Sequence, residues 1–212
     1  MYHIDHFVYL VHDLDKMAAQ IGGQLGVSFS PGGRHQDRGT QNVLLRVGEK
    51  TYLELITVDP ENQSVSAPRW MGVDLLPKEV DGRLSRWAVA TTSENYDVAR
   101  RELAGLDPQA GVSEPGSRLL ADGSLLRWRL TAPGAAPAIR AMPFLIDWYG
   151  QATPAEKLPE VGVHIKSFSG QFVTGLPPFV NEVSGVTFGA GPQDALYLEL
   201  RGPGGQTIVL QS

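Results

Sequence analysis

Two strand-like stretches carry the side chains best suited to chemistry. Ile4-Asp5-His6-Phe7-Val8-Tyr9-Leu10-Val11 sets an imidazole in an apolar run, and Thr51-Tyr52-Leu53-Glu54-Leu55-Ile56 sets a carboxylate in another. Burying either group unpaired is costly unless a hydrogen bond or a cation compensates it, so both positions invite a functional reading. Period-two alternation places Ile4, His6, Val8 and Leu10 on one face of the first strand, and Tyr52, Glu54 and Ile56 on one face of the second. His6 and Glu54 are therefore candidate metal ligands, with Glu54 also a candidate to move a proton. His35 lies in a glycine-rich stretch from Pro31 to Asn42, beside Arg34, Asp37 and Arg38. Loop residues on a rigid scaffold are frequent ligand contacts, which makes His35 a candidate third ligand or proton shuttle. Thr40 and Asn42 could orient a substrate oxygen if that stretch folds over the pocket. Tyr52, Trp87 and Trp148 are candidate aromatic walls, with core filling as the alternative for each. His164 is a further candidate contact, while His3 and His12 flank the first strand as surface residues.

Composition narrows the partners. The chain has 212 residues, 42% of them hydrophobic and 19% charged, enough for a sizeable core in one large or two small domains. A formal net charge of -5 without clustered Lys and Arg argues against nucleic acid or an anionic membrane as partner, leaving a small molecule. With no cysteine, there can be no disulfide, thiolate nucleophile or Cys-ligated zinc, and His, Asp and Glu are the strong ligands that remain. The start reads as a strand and not as a basic region followed by an apolar one. No apolar run approaches the ~20 residues that span a bilayer, so a cytoplasmic location is the default expectation. There is no G-x-S-x-G elbow, P-loop or strand-linked G-x-G-x-x-G, and acyl transfer, nucleotide hydrolysis and dinucleotide binding find no support.

The elements that must position these residues recur. A strand at the start is followed by a helix to about Leu25, capped by an Asp of His12-Asp13-Leu14-Asp15, with Met17, Ala18, Ile21 and Leu25 on its buried face. A short strand around Val27 to Ser30, a strand from Val43 to Val47 and a strand from Thr51 to Val58 complete β-α-β-β-β. Residues 61–82 connect. A second round spans 83–150, with a strand Leu84–Thr92, a helix through Leu106, a Gly/Pro-rich stretch, and strands Ser124–Leu130 and Met142–Trp148. Residues 151–212 offer a shorter third round: a strand Gly162–Phe168, a helical piece near Gln171–Leu176, and strands near Val186, Ala195–Leu200 and Gln206–Leu210. One four-stranded sheet cannot cover its own apolar face, so the expected fold is α+β. Tandem βαβββ modules, the first over 1–60, would form a curled sheet or half-barrel around a cleft. The modules pair within one chain or between two, which leaves a homodimer open.

In the order Asp5-His6, then Gly32-Gly33-Arg34-His35 with Gly39-Thr40-Gln41-Asn42, then Tyr52-Leu53-Glu54-Leu55-Ile56, the chain resembles the glyoxalase-like domain family of the vicinal oxygen chelate superfamily. Members carry a D-H strand, a G-G-x-H-x-x-x-G-T-x-N stretch and a Y-L-E-L-I strand. Arg86-Trp87 and Pro143-Phe144-Leu145-Ile146-Asp147-Trp148 also look like that family, so the resemblance covers residues 4 to 150 well and the tail loosely. It implies paired βαβββ modules around a cleft and, in metal-dependent members, a divalent cation held by the first and last strands of the modules. By this resemblance His6 and Glu54 occupy two ligand positions for such an ion, Zn, Ni, Fe or Mn. Aligned on the same elements, Trp87 and Ile146 replace the other two ligands and cannot bind a cation. A metal site would therefore require His35 or His164. The implied function is a lyase, isomerase or dioxygenase-type enzyme whose metal stabilises an oxyanion or enolate. The alternatives are a metal-free protein that binds or sequesters an apolar or aromatic small molecule, and a vestigial pocket on modules that only self-associate.

Overall fold

The computed structural model describes residues 1–62, 64–119 and 125–212. Its layering follows from alternation in β1 (His3–Val11), which is buried on both faces. Phe7, Tyr9 and Val11 join one apolar cluster, while Val8 and Leu10 join a second cluster across the sheet. After β1 come α1 (Leu14–Leu25), β2 (Ser30–His35), β3 (Thr40–Arg46) and β4 (Tyr52–Val58). The second half repeats this with β5 (Gly82–Ala90), α2 (Ser93–Leu106), β6 (Ser113–Leu119), β7 (Leu125–Thr131) and β8 (Phe144–Asp147). Asp13 caps α1 by accepting from the Lys16 N–H at 2.9 Å, and Gly26, at φ 71°, ends it in the left-handed conformation.

These strands form one eight-stranded sheet in the order β2-β3-β4-β1-β5-β8-β7-β6. Read outward from the centre, each half has the same order: first strand, last strand, then the hairpin. β1 runs parallel to β4, β5 runs parallel to β8, and the halves join through the antiparallel pair β1 and β5. The modules thus pair within the chain, and β2 and β6 are left as the two free edges.

Both edge strands lie in stretches that were read as Gly- or Gly/Pro-rich and not as strands: Pro31-Gly32-Gly33 is in β2 and Pro115-Gly116 in β6. Edge strands tolerate proline, whose missing N–H need not face a neighbour. The glycines serve close approach. A Cβ on Gly32 would lie 2.1 Å from the Asn42 side-chain oxygen, and one on Gly116 would lie 2.2 Å from the Trp128 indole nitrogen. Each edge therefore passes directly over a side chain of its neighbouring strand. The strand expected over Val27–Ser30 begins only at Ser30. The expected strand start at Ser124 lies outside the described residues, and β7 is described from Leu125.

The C-terminal elements are α3 (Pro154–Lys157), β9 (His164–Phe172), β10 (Val186–Ala190), β11 (Ala195–Arg201) and β12 (Thr207–Gln211). They make a separate four-stranded sheet, β10-β9-β11-β12, and not a third copy of the module. The helical piece expected near 171–176 is displaced. β9 continues to Phe172 because its end pairs with Phe188, Gly189 and Ala190, and a 3₁₀ turn forms only at Pro178–Glu182. Phe168, Leu196, Leu198 and Leu200 of this sheet pack with Phe7, Trp87, Leu53 and the buried faces of α1 and α2. The second sheet thus covers the convex side of the first, and the concave side is left for the cleft. Among the described residues no helix is long and apolar enough to cross a membrane.

One buried cation braces the concave side. Arg86 is 1% exposed, and its Nε and Nη groups donate to the carbonyls of Pro133 at 2.8 Å, Met71 at 2.7 Å and Pro137 at 2.7 Å. Burial, reinforced by the charge of Arg140, pushes its pKa down to about 9, which still leaves it a cation at neutral pH. The bonds tie the connection at Met71 to the segment that leads into β8. Arg86→Ala strands several buried carbonyls at once and is expected to lower stability by about 3 kcal/mol in urea denaturation. A loss below about 1 kcal/mol would mean that water replaces the guanidinium without penalty.

Candidate functional site

Parallel register brings the two candidate strands together: His6 lies beside Tyr52 and Val8 beside Glu54. Their side chains rise from the concave face into an inner cavity of about 40 Å³, lined also by Asn42, Leu44, Tyr52, Trp70, Trp128, Phe144, Ile146 and Trp148. His6 Nε2 and Glu54 Oε2 face each other at 3.9 Å, and the residues are 4% and 5% exposed. This separation is too long for a hydrogen bond, and a substrate atom in contact with both would sit off the line that joins them, on the cavity side.

Each member of the pair is fixed from behind. Asp5 accepts from His6 Nδ1 at 2.6 Å and from the Trp148 indole N–H at 2.8 Å, and is fully buried. With Nδ1 engaged, Nε2 is the ring atom that reaches the cavity. Tyr52 stacks on the imidazole with centroids 4.7 Å apart, and Phe144 meets it edge-on at 5.3 Å. Glu54 Oε1 accepts from the Asn42 amide, whose own oxygen accepts from the Gly33 N–H at 2.7 Å. This last bond is what the bare backbone at Gly32 makes possible.

The remaining candidates divide. His35 ends strand β2, where a loop was expected, and it lines the inner cavity; its Nδ1 is 3.0 Å from Thr40 Oγ. Thr40 is fully buried and reaches the site only through that contact. Asn42, Tyr52 and Trp148 line the cavity as expected. Trp87 does not. β1 and β5 pair Phe7 with Trp87 and His6 with Ala88, so Trp87 points to the convex side, donates to the Ala141 carbonyl at 2.7 Å and packs against Phe168 and Phe188. The residue matching His6 in the second module is Ala88. His164 opens β9 in the other sheet and is exposed, far from the concave face that holds the cavity.

Equivalent registers locate the rest of the second module's contribution. Ala88 lies beside Phe144 and Ala90 beside Ile146, as His6 lies beside Tyr52 and Val8 beside Glu54. Phe144 thus mirrors Tyr52 and Ile146 mirrors Glu54. At these positions the first module supplies the ionisable side chains of the cavity and the second supplies apolar walls.

Asp5 was quoted in the D-H motif but not expected at the site, because alternation sends it to the opposite face from His6. An irregularity in the β1–β5 register between Ile4 and His6 inserts an extra residue there, and bulges of this kind re-aim a side chain. Beyond the inner cavity opens a cleft of about 950 Å³, lined by Gly32 to Arg38 on one side and Pro115, Gly116 and Ser117 on the other. His35, Trp70, Trp128 and Leu130 line both spaces.

A profile described as a glyoxalase-like domain matches residues 4–172. The chain belongs to the glyoxalase-like domain family. Through it the protein joins the vicinal oxygen chelate superfamily, as its doubled half-barrel accords. Among solved structures, a hypothetical protein from Staphylococcus aureus aligns with 100% of this glyoxalase-like chain and 85% of its own, at 14% identity and a TM-score of 0.53. A Streptomyces coelicolor methylmalonyl-CoA epimerase in complex with 2-nitronate-propionyl-CoA aligns with 71% of this chain and 97% of its own, at 18% identity and a TM-score of 0.46. The methylmalonyl-CoA epimerase from Mycobacterium tuberculosis aligns with 68% and 86%, at 18% identity and a TM-score of 0.41. No curated protein matches the chain in sequence. A glyoxalase-like fold with this cleft supports a small-molecule enzyme or binder.

The donor set of this glyoxalase-like site is short for an ion. Two donors facing each other could approach one cation, but among the described residues no three His, Asp or Glu side chains form a group able to hold a metal. Zinc sites take three or four protein ligands, and two donors seldom hold such an ion against water.

Proposed function

We propose that this protein is a small-molecule enzyme that moves a proton at a carbon beside a carbonyl, in the manner of an isomerase or lyase. The observation that carries this reading is that Glu54 Oε2 and His6 Nε2 lie 3.9 Å apart and line the same cavity, so that neighbouring atoms of one substrate can meet both. Glu54, steadied by Asn42, takes the proton from carbon, and His6 Nε2 holds or gives a proton at the neighbouring oxygen. The apolar walls from Phe144, Ile146 and Leu44 exclude water, which strengthens both interactions. The inner cavity admits only the reacting end of a substrate, and the wider cleft takes the remainder. A divalent ion, which the family resemblance implies, does not fit the two-donor set, so the proposed step runs on the protons of the pair itself.

The test is solvent exchange. Enolisable compounds, namely 2-oxo acids, 2-hydroxy ketones and thioesters, are incubated with protein in D₂O and followed by NMR. Loss of the α-proton signal with the native protein, absent with Glu54→Gln, is the expected result. No exchange with any of the three classes would instead support a binding protein on the same scaffold. Removal of metal by prolonged chelation is expected to leave exchange within about twofold. A collapse of the rate that Zn, Ni, Fe or Mn restores would return the site to Lewis-acid chemistry.

A further inference from the structure

The mouth of the cleft lies between β2 and β6, the two free edges of the curled sheet. One ion pair spans it. Arg38, just past the end of β2, donates through Nη2 to Glu114 Oε2 of β6 at 2.6 Å, joining residues 76 positions apart. The guanidinium lies 5.4 Å over the ring of Trp70, which lines both the cleft and the inner cavity. Arg38 itself lines the cleft, as do Arg34 and Arg127, and among the described residues one acid, Asp37, lines it. Arg34 is paired with Glu61 and Asp59, so the cations that the lining leaves for a ligand are Arg38 and Arg127.

We propose that Arg38 is the anchor for a substrate carboxylate, and that Glu114 occupies it as an internal stand-in until substrate arrives. The proposal rests on the proton-transfer reading and names its substrate class: a small carboxylic acid that also carries an enolisable carbonyl. The pair suits an exchangeable partner. With side chains 36% and 31% exposed, it competes with water and holds weakly, yet it leaves a guanidinium directed at a carboxylate. An incoming carboxylate replaces like with like, so Arg38 keeps a partner of the same charge and shape while Glu114 turns to solvent. Trp70 beneath the guanidinium leads toward the aromatic chamber, where Trp128 and Trp148 lie 5.4 Å apart by ring centroids. An aryl or alkyl body between carboxylate and carbonyl would lie along that surface.

The experiment uses 4-oxopentanoate, in which two methylenes separate the carboxylate from an enolisable methyl ketone, and its uncharged methyl ester. Binding is measured by titration calorimetry in the Glu54→Gln background, so that no turnover is needed. Failure of the proton-transfer reading and failure of the anchor are thereby distinguishable. Glu114→Gln removes the internal competitor and is expected to tighten 4-oxopentanoate binding by about 3- to 10-fold. Arg38→Gln is expected to weaken it by about tenfold or more. The ester is expected to change by less than about twofold in either variant. A strap that merely holds the edges together would make both substitutions act in the same direction on both ligands. That outcome overturns the proposal, as does acid binding that is unchanged, weaker or undetectable in the Glu114→Gln protein.

Discussion

Glu54→Gln is expected to lower turnover by about 10²- to 10⁴-fold while leaving the protein folded. The amide keeps the shape of the carboxylate and can still meet Asn42, but it has no basic oxygen to take a proton from carbon. Because the lost interaction belongs to the proton-transfer step, kcat should carry the loss and KM should stay within a few-fold. Stability should hold or rise, since a buried carboxylate is exchanged for a neutral group in the same space. A Glu54 that served only to brace Asn42 would give the reverse pattern, a lower melting temperature with residual activity near the native level. Circular dichroism melts beside steady-state kinetics separate the two roles.

The meeting of His6 and Glu54 was legible because it depends on period two within each strand and on two strands lying side by side. Neither requirement involves a distant or subtle contact. The family's motif order fixed which strands those were, and the doubled architecture followed. What stayed hidden depended on single-residue changes of register. Asp5 reads as an outward neighbour of His6 until an extra residue in β1 turns it inward. Trp87 reads as the counterpart of His6 until β1 and β5 are paired, when Ala88 takes that place and Trp87 faces the convex core. The edge strands β2 and β6 were obscured by their own prolines and glycines, which mark breaks in a central strand but are tolerated at an edge. The ion pair between Arg38 and Glu114 could not be read without them, because it exists only where those two edges converge. His164 fell outside the site for a related reason: the third round of strands is a separate sheet that covers the back of the half-barrel.

Asp5→Asn is expected to cost nearly as much activity as loss of Glu54, about 10²- to 10⁴-fold, although Asp5 touches no substrate. The carboxylate now accepts from both His6 Nδ1 and Trp148 Nε1, one oxygen to each. An asparagine offers one acceptor oxygen and one amine, so it can satisfy one of these donors only by opposing the other. If the amine faces His6, Nδ1 must accept and stay bare, and a proton given from Nε2 would leave the ring with none. If it faces Trp148, two donors meet, and the indole must move in a wall of the site. Either outcome leaves the fold largely intact, because Phe7, Leu53 and Val89 on the other side of the sheet are undisturbed. Trp148→Phe provides the control, since it removes the indole donor and leaves Asp5 free to serve His6. It should lower activity by about tenfold or less. Steady-state kinetics separate orientation from packing: Asp5→Asn should lower kcat with KM within a few-fold, whereas Trp148→Phe, which alters a wall of the cavity, should act mainly on KM. A folded Asp5→Asn protein with activity within about threefold of native would show that His6 needs no partner behind it, and the imidazole would lose its place in the proposed step.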